Sequence, residues 1–213
     1  MCRRRFANNP STSKNIPHSN NNFQVPTMFT ALSAPAAYVM NPAIYGHVNP
    51  RILTFNSTIE VTVNNHDTRA HPFHLHGHNF QVLTRGEGGA LWPGLITPPP
   101  YPMKRDTVVV YGGSSVTIRF RADNPGINLF HCHTEWHVEN GLTATFIEAP
   151  DVLQSYRLYV PNSHKVACDR LKIPRKGNAA GNVKDWLDLR GANEEAEDPA
   201  RYWGAMVRPP LLG

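Results

Sequence analysis

A seven-residue stretch in the second half of the chain combines three histidines with a cysteine, and it reads His131-Cys-His-Thr-Glu-Trp-His137. If the stretch begins on a β-strand, His131 and His133 point to one face and Cys132 to the other, because strand side chains alternate. One strand could then serve two metal sites at once. Two imidazoles and a thiolate with a weak or absent axial ligand form the blue-copper arrangement.

A second histidine cluster lies upstream and reads His71-Pro-Phe-His-Leu-His-Gly-His78. The chain has 11 histidines, and most of them fall in these two windows. A lone histidine is usually a satisfied structural residue, and His66 is interpreted in that way. Two His-x-His pairs, one of them built around a cysteine, favour metal binding instead.

At these motifs the chain resembles the C-terminal cupredoxin domain of multicopper oxidases, most closely fungal laccases and the related fungal iron oxidases. The resemblance extends from about Val25 to about Asn182. At Thr134 the chain departs from the family pattern, because the family usually has an aliphatic residue there. The matching segments are His71–His78, Tyr101–Thr107, Ala122–Gly126 and His131–His137.

The resemblance implies a type 1 copper site. Its ligands would be His71, Cys132 and His137, with Leu142 as a non-coordinating axial neighbour. A missing axial donor raises the reduction potential of such a site, which suits the removal of electrons from phenols.

The same resemblance implies an oxygen-reacting copper cluster. Its ligands would include both chain neighbours of Cys132, which offers an electron a through-bond path from the blue site. His78 is expected to pack or to orient a ligand rather than to bind metal. The implied ligands are His74 for type 2 copper, and His76, His131 and His133 for the coupled type 3 pair.

Two acidic residues near the motifs are further candidates. Glu135 is the candidate proton donor, because the reduction of dioxygen to water consumes protons. An equal alternative is that Glu135 only orients a histidine ligand through a hydrogen bond. Asp106 is expected to form a structural ion pair, with a catalytic role as the minor option.

Short alternating segments separated by turn signals predict an all-β fold. The 19 prolines and 15 glycines fit a protein with many turns. Such strands indicate an antiparallel β-sandwich or barrel, and the resemblance makes it a cupredoxin Greek key. The predicted strands are Arg51–Asn56, Ile59–Asn64, Phe80–Arg85, Thr107–Tyr111, Ser115–Arg121, Asn128–Cys132 and Thr143–Ala149.

With 213 residues and 40% hydrophobic content, the chain predicts one sizeable domain with extensions. Residues 1–24 are expected to be disordered or fragmentary, and residues 25–150 to form the cupredoxin domain, opening with a connector at 26–48. Residues 151–213 are expected to form a partly irregular tail with a short helix over Asp151–Tyr159.

Two features outside the motifs leave alternatives open. The long loop at 86–102 carries Trp92 and Leu95, which line the approach of an organic substrate or form a hydrophobic plug. In the resembling laccases, a cysteine in the position of Cys168 pairs with one in the first domain. Here Cys168 is expected to be free or bridged to Cys2.

The sequence also suggests location and partners. No apolar core follows the basic start, so no signal peptide is recognised, and no segment reaches the length of a membrane span. The resemblance nevertheless implies a secreted protein. The net charge of +5 is not concentrated enough to suggest nucleic acid.

The resulting prediction is a laccase-like, copper-dependent oxidase domain that uses a small-molecule reductant and dioxygen. The oxygen site is expected to be only half present, needing N-terminal cupredoxin domains or another chain for completion. An iron(II) ferroxidase ranks second, because the loop from Ala90 to Pro102 contains no acid for iron binding and because the tail shows no membrane anchor of the kind that fungal iron oxidases carry. A single-site blue-copper electron carrier and a copper-free structural remnant are the further alternatives.

Overall fold

Two β-sheets of five strands each enclose the main core in this computed structural model. None of the described helices is long and apolar enough to cross a membrane. The structure describes residues 5–7, 25–46, 49–86, 99–139, 141–156 and 160–192.

Within the described residues, strands outnumber helices, and all the helices are short. The strands are β1 Arg5–Ala7, β2 Pro50–Leu53, β3 Thr58–Asn64, β4 His71–Leu75, β5 Phe80–Arg85, β6 Met103–Arg105, β7 Thr107–Val110, β8 Ser115–Arg121, β9 Gly126–Cys132 and β10 Thr143–Glu148. The α-helices are α1 Thr27–Ser33, α2 Glu135–Glu139, α3 Pro150–Ser155 and α4 Asn162–Arg170, with a 3-10 helix at Pro42–Tyr45.

The strand order is β1-β3-β8-β5-β6 in the first sheet and β2-β10-β9-β4-β7 in the second. Pairing is antiparallel except at one edge of each sheet, where β1 runs parallel to β3 and β2 runs parallel to β10. The predicted all-β sandwich is therefore confirmed.

Aromatic side chains fill the space between the sheets. The rings of Phe130 and Phe146 stack with centroids 5.7 Å apart, and Phe73 lies 5.2 Å from Phe130. Burying each such ring stabilises the fold by about 1.5–3 kcal/mol. This packing ties β4 and β9 to the core, and these are the two strands that carry the histidine motifs.

The register between β4 and β9 brings the motifs side by side. Phe73 pairs with Cys132, and His74 pairs with His131. The backbone N–H of His133 donates to the carbonyl oxygen of Pro72 at 2.6 Å, which extends the contact beyond the last strand pair. Two segments that are far apart in sequence thus form one surface.

The predicted strands all occur within a few residues of their expected bounds, but several other elements were missed. The strands β4 and β6 were not among the predicted ones. The expected connector at 26–48 contains α1 and the 3-10 helix, and residues 5–7 of the expected disordered segment pair with β3. The helix expected at Asp151–Tyr159 instead begins at Pro150 and ends at Ser155, with Ala149 as its N-cap residue.

The tail is more ordered than its polar composition suggested. It contains α4, and Trp186 joins a second apolar cluster with Ile44, Ile147 and Leu153. The fully buried Asn178 amide donates to the carbonyl oxygens of Trp186 at 3.2 Å and of Asp188 at 2.7 Å, while its own oxygen accepts two backbone N–H groups. The described part of the tail therefore covers the flank of the domain instead of extending from it.

Several predictions fall on residues outside the described ranges. Trp92 and Leu95 lie there, so their proposed place near a substrate stays a prediction. Cys2 lies there as well, and Cys168 is buried in α4 as a free thiol.

Candidate metal centre

Three buried side chains converge at one end of the second sheet. His71 begins β4, Cys132 ends β9, and His137 lies on α2. The Nδ1 atoms of His71 and His137 lie 3.1 Å apart, and the Cys132 Sγ atom lies 3.7 Å and 3.4 Å from them, respectively. Two imidazole nitrogens and one sulfur facing a common point form a donor set that suits copper.

A tight connection after β9 holds this triad. The backbone N–H of Cys132 donates to the carbonyl oxygen of Leu142 at 2.9 Å, and the N–H of Leu142 donates to the carbonyl oxygen of His137 at 2.7 Å. The half-buried Leu142 packs against the core cluster that contains Cys132. The chain therefore turns back over the end of the sheet and places His137 above the sulfur.

The protonation of two triad members, Cys132 and His137, suits metal binding, whereas hydrogen bonds to Cys132 and Asp67 raise the pKa of His71. Burial opposes ionisation of the Cys132 thiol, but hydrogen bonds from His71 and Thr134 outweigh it, so the pKa of the thiol lies below its ordinary value. Burial, followed by the charge of His71, lowers the pKa of His137 and favours its neutral form. Thiolate sulfur and neutral imidazole are the forms that bind metal.

Four further histidines form a second cluster on the opposite face of the same strands. Ring centroids lie 5.0 Å apart for His74 and His76, 5.0 Å for His76 and His131, and 5.6 Å for His131 and His133. The Nε2 atoms of His76 and His131 are only 3.0 Å apart. Burial, followed by the neighbouring imidazoles, lowers the pKa of His76 and favours its neutral form.

Backbone oxygens orient two of these rings. The Nδ1 atom of His74 lies 2.9 Å from the carbonyl oxygen of Asp106, and the Nδ1 atom of His131 lies 2.8 Å from that of Cys132. When Nδ1 donates to such an oxygen, the lone pair of Nε2 is left for a metal ion. His76 and His133 are exposed, so the cluster opens at the surface.

The remaining predicted residues are His78, Asp106 and Glu135. The Nε2 atom of His78 lies 2.6 Å from Oε2 of the fully buried Glu148, and this contact holds the end of the motif in place. His78 belongs to neither cluster. Asp106 contributes its backbone carbonyl in the described structure, where the expected ion pair of its side chain is not seen. Glu135 is exposed in the first turn of α2, and its role in proton supply stays a prediction.

One acidic residue beside the triad was missed by the sequence analysis. Oδ2 of Asp67 lies 3.0 Å from Nε2 of His71, and the Asp67 side chain is 30% exposed. Asn65 shapes this turn, because its Oδ1 accepts the backbone N–H of Asp67 at 3.0 Å and its Nδ2 donates to the carbonyl oxygen of Arg69 at 2.7 Å. The sequence signal for Asp67 was its position four residues before His71, but residues at that spacing face each other only in a helix.

The electrostatics of Asp67 favour its charged form. Burial acts against ionisation, but hydrogen bonds from the Arg69 backbone and the His71 ring outweigh it, so the pKa of Asp67 lies below its ordinary value. A carboxylate thus stands in contact with one triad imidazole and with solvent.

Comparisons with known proteins agree with this geometry. A family model described as multicopper oxidase matches residues 16–152. The iron transport multicopper oxidase fetC of Epichloe festucae is 49% identical over 177 residues, covering 80% of this chain and 28% of the relative. The iron transport multicopper oxidase FET3 of Gibberella zeae is 47% identical over 179 residues, covering 81% and 28%, respectively.

A solved structure shares the fold. The crystal structure of Fet3p, a multicopper oxidase that functions in iron import, matches with a TM-score of 0.73 and 36% identity. The match covers 85% of this chain and 36% of that chain, and it confirms the predicted cupredoxin-like fold. The chain spans less than a third of the length of the two curated relatives.

Proposed function

Because the chain belongs to the multicopper oxidase family, we propose that it is the part of a copper-dependent oxidase that receives electrons from iron(II), with dioxygen as the final oxidant. The laccase-like oxidation of phenols, predicted first from the sequence, is the weaker proposal. The relatives at 49% and 47% identity are named as iron transport oxidases.

Asp67 is the observation that carries this proposal. Iron(II) is a harder cation than copper(I) and favours carboxylate oxygen among its ligands. Asp67 offers a charged carboxylate that reaches solvent and also contacts the ring of His71. The acid that the loop from Ala90 to Pro102 lacked is therefore supplied by the turn before β4, which removes one reason for ranking iron oxidation second.

The residues present fit the copper cofactor of the family. A copper ion held by His71, Cys132 and His137 would supply one-electron oxidation when bound. Around it, the protein keeps all three ligand side chains buried, which excludes water from the sulfur and preserves the donor geometry. Asp67 would hold the reductant ion at the outer edge of this site, one hydrogen bond from a ligand ring.

The four-imidazole cluster is proposed to serve the oxygen-reacting copper ions. His131 and His133 are the direct chain neighbours of Cys132, so the two metal sites are joined through the backbone of a single strand. We propose that further ligands come from other cupredoxin domains or from another chain. We also propose that the protein acts outside the cell, as the resemblance implies.

The test compares two reductants in an oxidase assembled from this chain and the cupredoxin domains that complete it. Asp67→Asn, which removes the charge but keeps an acceptor for the His71 ring, is expected to lower kcat/KM for iron(II) at least tenfold while changing the oxidation of a bulky phenol much less. Asp169→Asn, which changes an exposed acid on α4, is the matched control. A phenol preferred over iron(II), together with no effect of Asp67→Asn, would overturn the proposal in favour of a laccase.

A further inference from the structure

One surface turn of the domain carries the acceptor pattern of a covalent modification. In the triplet Asn56-Ser-Thr58, a hydroxyl residue stands two positions after an asparagine with no proline between them, and no other triplet in the 213-residue sequence has this pattern. We propose that Asn56 is an N-glycosylation site, which takes an oligosaccharide on its side-chain amide when the chain enters the secretory pathway. The inference rests on the proposed location outside the cell and is independent of iron(II) as the substrate.

The reaction joins the asparagine to the first sugar of a lipid-linked oligosaccharide. The Nδ2 atom of Asn56 attacks C1 of that sugar, which is attached to a lipid pyrophosphate. The C1–O bond breaks as the N–C1 bond forms, the lipid pyrophosphate leaves with the electron pair, and the amide nitrogen loses one proton. The transferase of the secretory pathway supplies the catalysis, and the hydroxyl of Thr58 completes the acceptor pattern that it requires.

The turn between β2 and β3 keeps the acceptor amide accessible. The backbone N–H of Ser57 donates to the carbonyl oxygen of Thr54 at 3.2 Å, which closes the turn, and Asn56 lies within it at a φ of 63°. Asparagine adopts this left-handed conformation more readily than most residues do. Asn56 is exposed, which leaves room for a bulky group on its side chain.

A single contact orients the amide of Asn56. The Nε atom of Arg121 donates to Oδ1 of Asn56. A guanidinium group has only donors, so the amide atom that faces it is the oxygen and the nitrogen lies on the other side. Within the part of the chain that the structure describes, Nδ2 of Asn56 has no hydrogen-bond partner. The atom that takes the sugar is therefore free, while the plane of the amide is held in place.

A polar cleft beside the turn offers the sugars a surface to lie on. The cleft measures about 450 Å³, and its lining includes Thr58, Gln81, Arg121 and Asp123. Guanidinium and amide N–H groups donate to sugar hydroxyls, and carboxylate oxygens accept from them. Thr58 belongs to the acceptor triplet and Arg121 contacts Asn56, so a glycan on Asn56 begins at the edge of this cleft.

The site lies at the end of the sandwich away from the histidine clusters. The backbone N–H of Asn56 donates to the carbonyl oxygen of Ala122 at 2.6 Å, shortly before β9 begins. Cys132 lies at the other end of β9, whose seven residues span roughly 20 Å. A glycan on Asn56 therefore leaves the four-histidine cluster open to the domains that complete it. Because a sugar chain is bulky and hydrated, this end of the sandwich should stay exposed in the assembled oxidase.

The test secretes the 213-residue chain from a eukaryotic host behind a cleavable leader peptide, followed by intact mass before and after peptide-N-glycosidase treatment. The wild type is expected to lose the mass of one oligosaccharide, with the peptide that contains Asn56 as the modified one. Thr58→Val, which keeps the shape of the side chain but removes the hydroxyl, should carry no oligosaccharide. Thr58→Ser keeps the acceptor pattern and should be modified. Asn56→Asp, which also tolerates a positive φ, should be unmodified.

A secreted wild type without oligosaccharide would overturn the inference, and so would an oligosaccharide that persists in Thr58→Val. Copper loading of the treated and untreated wild type is the second readout. Both forms should show the same visible band, and a band that appears only after treatment would contradict the placement of the glycan away from the triad. Iron oxidation enters none of these measurements and the leader peptide supplies the location, so a failure of the proposed function stays distinguishable.

Discussion

The two carboxylate oxygens of Asp67 have separate contacts, and one of them is with the triad. Oδ1 accepts the backbone N–H of Arg69 at 3.2 Å, which holds the carboxylate in place, and Oδ2 faces Nε2 of His71 at 3.0 Å. A proton on Nε2 is therefore stabilised, and Nδ1 keeps its lone pair towards Cys132. One carboxylate thus sets the tautomer of a ligand and offers an exposed contact for a cation.

Removal of this carboxylate should weaken copper binding at the triad. Asp67→Ala leaves the His71 ring free to rotate and to place its proton on Nδ1, so we expect copper affinity to fall about 10–100-fold. Competition with a chelator of known affinity, followed through the visible band, measures the change. Asp67→Asn retains an acceptor for Nε2–H and should lose less. Unchanged affinity in Asp67→Ala would contradict the tautomer argument.

At the scale of elements, the pairing of β4 with β9 creates both histidine clusters. Strand alternation alone predicted that Cys132 faces away from His131 and His133, because that pattern is local. The register that sets His74 opposite His131 is not local, since it depends on the core that both strands help to form. The contact of Asp67 with His71 likewise depends on a turn shaped by Asn65, which carries no periodic signal.

The tail shows the same limit of sequence patterns. Its polar composition predicted an irregular segment, and residues 171–192 are indeed free of regular helix or strand. Trp186 packs into an apolar cluster of the domain and the backbone of Ala179 bonds to Val25 and Ile44, while the buried Asn178 amide holds the turns of the tail together. Such isolated anchors have no repeat that could be recognised beforehand.

Loss of the Asn178 amide should loosen the tail without affecting the metal site. Asn178→Ala leaves several buried backbone groups without their partner, so we expect the free energy of unfolding to fall by about 1–3 kcal/mol. Chemical denaturation monitored by tryptophan fluorescence measures the loss. The visible copper band should be unchanged, because the hydrogen bonds of Asn178 run to the backbone of the tail itself. Asn162→Ala, at the exposed start of α4, is the control. An unfolding free energy equal to that of the wild type would contradict the role given to Asn178.

At the scale of the whole molecule, one β-sandwich carries a buried triad and a partly exposed four-histidine cluster on opposite faces of β4 and β9. The triad is buried, and its two imidazoles and one thiol all come from this chain. The four-histidine cluster has exposed members and faces outward, as expected of a site that is completed elsewhere. The chain also spans less than a third of its curated relatives. We therefore expect the triad to be the metal site that this chain can form alone.

The most direct measurement is the copper content and visible absorption of the purified 213-residue chain after copper loading, with Cys132→Ser as the control. The account predicts an intense blue band from one copper ion in the triad, absent from Cys132→Ser. His78→Gln, which alters a motif histidine outside both clusters, should keep the band. A colourless chain, or a band that survives in Cys132→Ser, would contradict the assignment of the triad as the copper site.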